Sequence, residues 1–188
     1  MEKYGFIRKN PKENGNLSLL FLKMQGILIV EQKWSKVEHF GAEVRRLIGK
    51  YPAKLDDKNR LFVPAKLRAD VGATFYVTIG VNGGRRCLTL YTAEGWQRIC
   101  DQYDQLPLSQ KSGATGLLFI FACECVPDKQ NRFTLTPSLM EYAGIRRDVM
   151  IVGRAGQAEI WDAQEYSAFE KESLTPEKLL ASLEAIGL

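Results

Sequence analysis

Two short stretches carry the residues best suited to chemistry. Asp56-Asp57-Lys58-Asn59-Arg60 sets a carboxylate and a guanidinium four positions apart with a lysine between them, and Asp128-Lys129-Gln130-Asn131-Arg132 repeats the arrangement. A lysine at the tip of a tight turn meets phosphate as a point charge. An arginine beside the turn can fork onto phosphate or onto a guanine edge in the major groove. A second chemistry is open to the same residues: Asp56 and Asp128 can accept turn N–H groups while Arg60 and Arg132 pair with a carboxylate, holding a hairpin or a subunit contact. Both hold together if the aspartate orients the arginine. The candidate nucleic-acid contacts are Lys58, Arg60 and Arg68 in the first stretch, with Lys129 and Arg132 in the second. Asp56, Asn59, Asp128 and Asn131 are the turn-shaping residues, because asparagine tolerates the left-handed backbone of a tight turn.

Other chemistries find little to work with. The one histidine, His39, is far in sequence from the four cysteines, Cys87, Cys100, Cys123 and Cys125, and no Cys-x-x-Cys occurs. Neither metal-ligand spacing nor a disulfide framework emerges, and Cys123 and Cys125 read as small apolar residues sharing one strand face. The repeated stretches contain no nucleophile elbow or phosphate-binding glycine loop, so an enzyme is not expected, nor a cofactor or small-molecule substrate. The apolar runs 17–22 and 27–30 fall far short of the roughly 20 residues that span a bilayer, and no convincing cleavage site follows them. A cytoplasmic protein without a membrane partner is expected.

Charge is uneven. The chain is 45% apolar and 26% charged with a net charge of +4, which is ordinary for a globular protein. Between Arg45 and Arg68, eight basic residues face two aspartates, a local +6; from Asp162 to the end, six acidic residues face two lysines, a local −4. That asymmetry fits a basic working surface with an acidic end held away from it, or simply two solvated faces of unlike sign.

The elements that must position these residues come from an internal repeat. Asp56, Asn59, Arg60, Leu67 and Gly72 recur as Asp128, Asn131, Arg132, Leu139 and Gly144, each 72 positions later. With small slips, Phe75–Gly80 then matches Asp148–Gly153, and Leu88–Tyr91 matches Ala158–Trp161. Each copy reads as a strand, a tight turn, a returning strand opened by the arginine, and a short helix ending at the glycine. In the first copy Pro64 starts that helix; in the second, Thr136 suits the N-cap and Pro137 the first helical position. Strands are expected at 75–79 and 87–91 around an Asn82-Gly83-Gly84 turn, and near 148–152 and 157–161. Helices are expected over 93–104 (with Trp96, Ile99 and Tyr103 inward), 107–118, after Asp162, and 175–186 behind a Thr175 cap. Neither copy can bury its own sheet, so the two should interlock around one core. Trp96, Trp161 and Phe133 are expected to pack in a core or subunit contact, and Lys54 and Lys66 to be solubilising.

Two D-x-x-x-R turns separated by a Leu90-Tyr91…Trp96 segment, with Ile151-Val152-Gly153 and Glu159-Ile160-Trp161 near the end, resemble the MraZ family over about residues 47–188. Cys87–Tyr91 and Gly144–Val149 look most like its Bacteroidetes members. The resemblance implies an α+β fold: a tandem AbrB-like swapped-hairpin β-barrel made by two internal repeats with flanking helices. It further implies a sequence-specific DNA-binding regulator, generally a repressor, acting on promoter direct repeats of its own division and cell-wall gene cluster. Such proteins work in the cytoplasm on the nucleoid as closed homo-oligomeric rings of the octamer or dodecamer type. The pattern differs at Asn59 and Asn131, where the family usually has glycine, and at Thr136, where it commonly has proline.

The expected organisation is an N-terminal extension at 1–44, a first repeat at 45–106, a connecting helix at 107–119, a second repeat at 120–171 and a helical tail at 172–188. The extension has no family counterpart; it is either a disordered leader or lies ahead of a true start near Val44. Two other functions fit a duplicated hairpin protein: a ring-forming assembly protein that binds no DNA, and an AbrB-like antitoxin. The duplication itself argues against the antitoxin, which needs only one hairpin unit and a toxin-binding tail.

Overall fold

The computed structural model describes residues 46–188, so the expected N-terminal extension and His39 lie outside the described residues. The described chain runs β1 (Leu47–Lys54), β2 (Arg60–Phe62), α1 (Arg68–Val71), β3 (Phe75–Asn82), β4 (Arg85–Thr92), α2 (Ala93–Asp104), α3 (Ala114–Ile120), β5 (Cys123–Cys125), β6 (Arg132–Thr134), α4 (Pro137–Ala143), β7 (Asp148–Ala155), β8 (Gln157–Asp162), α5 (Ala163–Ser173) and α6 (Pro176–Ala185). Short 3-10 turns at Ala65–Leu67 and Leu108–Gln110 join them.

Local chemistry sets most of these boundaries. Thr92 caps α2 by accepting the Gly95 N–H at 3.1 Å, and Thr136 caps α4 with Pro137 at its first turn. Gly144 then ends α4 in the left-handed region at φ 64°. Gly83 and Gly84, both at positive φ, close the β3–β4 hairpin and let its strands run longer than expected. The expected connecting helix over 107–118 is broken. A 3-10 turn reaches Gln110, and the chain restarts at α3 only after Gly113 has reversed it at φ 67°.

The two copies are woven into one another. Six strands form a sheet in the order β1-β7-β8-β4-β3-β5, and β2 pairs with β6 as a separate ribbon; every pairing is antiparallel. Exchanging the copies turns that order into itself: β1 corresponds to β5, β7 to β3 and β8 to β4. A pseudo-twofold axis therefore passes between β4 and β8, where Thr89 faces Glu159. Those two residues also match one another in the repeat, 70 positions apart after the small slips.

The swapped-hairpin barrel that the resemblance implies is not closed among the described residues. The sheet is an open row with β1 and β5 at its edges, and among the described residues nothing pairs those edges. The reason lies in β5, which is three residues long and runs into Val126-Pro127, where proline has no N–H to continue a ladder.

One apolar core fills the space between ribbon and sheet. Leu61, Val63, Phe133 and Leu135 enter from the ribbon, Leu67, Val71, Leu139 and Ala143 from the short helices, and Phe75, Leu88, Ile151 and Ile160 from the sheet. A smaller cluster on the other sheet face holds Cys87, Trp161 and Tyr166, with Phe169 stacked on Trp161 at 5.1 Å. The buried Glu159 is satisfied by Asn82 at 3.1 Å, Arg154 at 3.0 Å and the Trp161 indole N–H at 3.0 Å. No helix among the described residues is long and apolar enough to cross a membrane.

Candidate nucleic-acid interface

The ribbon decides where the two charged turns stand. In β2 and β6, Arg60 faces Thr134, Leu61 faces Phe133 and Phe62 faces Arg132. Strand alternation sends Leu61 and Phe133 into the core, so Arg60, Phe62, Arg132 and Thr134 share the outward face. Two further bonds extend the pairing symmetrically: Val63 N–H donates to the Asn131 carbonyl and Leu135 N–H to the Asn59 carbonyl, both at 2.9 Å. Each copy's turn is thus fastened to the other copy's returning strand, which brings both D-x-x-x-R turns to one short ribbon.

Each turn is pinned by its own aspartate. Asp56 Oδ1 accepts the backbone N–H groups of Lys58 and Arg60, both at 2.9 Å, while Oδ2 accepts the Arg60 Nε at 2.7 Å. Asp128 repeats the pattern on Gln130 at 2.8 Å, on the Arg132 N–H at 3.0 Å and on the Arg132 Nε and Nη2 at 2.9 and 2.7 Å. Asn59 and Asn131 occupy the left-handed position at φ 55° and 59°, as expected. These bonds favour the charged carboxylates strongly. The Arg60 guanidinium first, then backbone donors, pulls Asp56 down to about 2. Arg132 does the same for Asp128, also to about 2. Asp128 in turn acts on Arg60 across the ribbon, so the turns are electrostatic neighbours.

The carboxylate pairs do not exhaust the arginines. Each guanidinium has five N–H donors and commits its Nε and Nη2 to the aspartate, which leaves about three facing away from it. Lys58 and Lys129 are exposed at the tips. Arg68 is placed differently from the others: its Nε donates to the Val63 carbonyl at 3.0 Å, tying α1 to the end of β2. Of the lysines expected to be merely solubilising, Lys54 pairs with Asp148 at 3.2 Å, and Lys66 is exposed. Trp96, Trp161 and Phe133 are buried.

Phe62 and Thr134 were not among the candidates, yet they complete the outward face. Phe62 is 47% exposed, and the Arg132 guanidinium lies over its ring at 5.9 Å. The alternation Arg60-Leu61-Phe62 was the signal that held this information. It could be used only once the inward residue was known to be Leu61.

Comparison with known proteins agrees with the duplication. A family model described as "MraZ protein, putative antitoxin-like" matches twice, at residues 47–117 and 118–181. A Clostridium beijerinckii protein named transcriptional regulator MraZ is 35% identical over 143 residues, covering 75% of this chain and 99% of its own length. Proteins of the same name from Kocuria rhizophila and Lactiplantibacillus plantarum are 39% and 37% identical, over 72% and 66% of this chain and 98% and 88% of their own lengths. With the matched segments spanning both woven copies, the chain belongs to the MraZ family.

Proposed function

We propose that the chain is a sequence-specific DNA-binding transcription regulator, a repressor of its own division and cell-wall gene cluster, acting in the cytoplasm on the nucleoid. The observation that carries this reading is the ribbon: two aspartate-pinned turns abut on one surface and present Lys58, Arg60, Lys129 and Arg132 together. A two-stranded ribbon fits the width of the DNA major groove. The aspartates fix the arginines before binding, so less side-chain freedom is lost on contact. Structural and contact roles therefore coexist in the same arginines. Arg68 serves the ribbon chiefly as a brace, with its remaining donors near the phosphate path.

One ribbon offers few contacts, so specific binding requires several. A closed ring, of eight or twelve subunits, meeting direct repeats in the promoter would supply them through effective concentration. Surfaces suited to self-association exist: β1 leaves one strand edge unpaired among the described residues, and Leu179, Leu180, Leu183 and Ile186 of α6 are exposed.

Fluorescence anisotropy of the full chain on the duplex upstream of its own gene cluster tests the reading, with a shuffled duplex and Arg60→Ala alongside at several salt concentrations. Preference for the native duplex, a steep salt slope and loss of preference in Arg60→Ala are expected. Folded, oligomeric protein with neither preference nor salt dependence would replace this reading by a ring-forming assembly protein.

A further inference from the structure

We infer that Arg86, Arg146 and Arg147 form a second phosphodiester-binding site beside the first hairpin turn, extending the DNA surface past the D-x-x-x-R motifs. The inference rests on the DNA reading above, and a charge balance motivates it. The two turns hold Lys58, Arg60, Lys129 and Arg132 against Asp56, Asp57 and Asp128: four cations and three carboxylates, a net charge of +1. That is little attraction for a duplex carrying one negative charge per roughly 1.7 Å of axis.

The missing charge lies in an open cleft of about 620 Å³ between the β3–β4 hairpin, the end of α4 and the start of α5. Arg86, Arg146 and Arg147 line it and are exposed, and among the described residues none of them enters an ion pair. Most carboxylates of the cleft are already engaged. Asp148 pairs with Lys54, Glu165 with Arg85 at 2.8 Å, and Asp162 accepts the N–H groups that open α5. Glu141 and Asp162 have no cation partner there, so three unpaired arginines against two carboxylates leave a local +1.

One of the arginines is also held. Arg86 lies over the Tyr142 ring at 5.4 Å, and the Tyr142 hydroxyl donates to the Gly80 carbonyl at 3.2 Å, which fixes the ring beneath it. A guanidinium stacked by its face keeps its edge N–H groups for a phosphate. The cleft adjoins the first turn: the Leu55 N–H donates to the Arg147 carbonyl at 2.9 Å, and Asp56 is the next residue. DNA seated on the ribbon would carry its backbone past this edge.

The test measures the salt dependence of full-chain binding to native and shuffled duplexes. The R86Q/R146Q/R147Q variant should bind both more weakly by the same factor, keep its native-to-shuffled preference, and lose up to about 2.7 from the log–log salt slope per bound subunit, at 0.9 per phosphate contact. R86K/R146K/R147K should retain the slope. R146Q/R147Q, which leaves the Tyr142 stack intact, should lose up to about 1.8 and covers the case of a misfolded triple variant. An unchanged slope in the glutamine variants, beside an Arg60→Ala protein that has lost preference, overturns this inference and leaves the ribbon reading standing. Wild-type protein without salt-dependent DNA binding overturns both. Inorganic phosphate that raises the wild-type Tm but not that of the triple variant, with the DNA slope unmoved, would make the cleft a small-anion site instead and overturn the inference.

Discussion

Cutting the Phe133 ring back to alanine should destabilise the protein by about 3–5 kcal/mol, the usual cost of deleting a buried phenylalanine side chain. Phe133 is 4% exposed, and its ring meets Phe75 edge-on at 4.9 Å and 88°. It matters more than its size suggests because β6 is only three residues long. Together with Leu61, it supplies the inward face that holds the ribbon on the sheet. Phe133→Leu keeps most of the volume but gives up the aromatic edge, so it should cost about 1–1.5 kcal/mol. Phe62→Ala is the control, since Phe62 stands on the same ribbon, one strand away, facing solvent. It should change stability by less than about 0.5 kcal/mol. Urea unfolding followed by the fluorescence of buried Trp96 and Trp161 reads all three at one protein concentration, because self-association would add its own stability. At an m-value near 2 kcal/mol/M, Phe133→Ala should move the midpoint by roughly 2 M. A loss below about 1 kcal/mol for Phe133→Ala, or an equal loss for Phe62→Ala, would refute the claim that the ribbon is welded through its inward face alone.

Acid should loosen the turns in a defined window. The folded-state pKa of Asp56 and Asp128, about 2, lies below the unfolded value of about 3.9. Their pairing therefore stabilises fully above about pH 4 and is lost as pH falls through 2. The Asp56→Asn/Asp128→Asn protein should show a smaller drop in urea midpoint between pH 5 and 2.5 than the wild type; an identical drop would contradict the assignment. Gly153→Ala should lower stability by about 1–3 kcal/mol, seen as a fall in Tm, since its Cβ would sit 2.5 Å from the Leu47 carbonyl carbon and Ile48 nitrogen of β1. Cys87, pushed up to about 12 by burial, should resist thiol reagents until the protein unfolds. Mass-mapped labelling should find the half-exposed Cys100 and Cys123 first, and rapid native labelling of Cys87 would count against its burial.

The sequence disclosed the repeat, the turns and the helix caps because each depends on residues close together along the chain. Asn59 at a tight turn, Thr136-Pro137 at a helix start and Gly144 at its end are local statements, and each is met in the structure. The interlocking could be expected only in general terms, since each copy was too small to bury its sheet. Which strand pairs with which is a non-local matter. Nothing near Leu47 announces that it will face Ala155, or that β5 will stop after Cys125 and leave the sheet open. The same limit governs the site. Asp56 with Arg60 is a contact across four residues and was legible, down to the possibility that the aspartate orients the arginine. The cleft of Arg86, Arg146 and Arg147 joins residues some 60 positions apart and exists only after folding.

Carrying both hairpins on one chain also changes what the ribbon can recognise. Two identical chains would place identical residues about a true twofold axis, and a twofold reader calls for a palindromic site. Here the inward face is nearly symmetric, Leu61 against Phe133, while the outward face is not: Phe62 stands where the other copy has Thr134. An aromatic ring offers apolar contact to a thymine methyl, and a threonine adds a hydroxyl that can reach base edges. Arg147 adds its charge beside the first turn, whereas Thr74 or Phe75 stands at the matching place in the first copy. If the ribbon binds DNA as proposed, those differences give each subunit a direction along the duplex. Repeats read by subunits related through rotation in a ring would then run head to tail, and inverted repeats would present half of the ribbons the wrong way round. Reversing one repeat of a native pair, with spacing unchanged, should therefore cost most of the gain from having two.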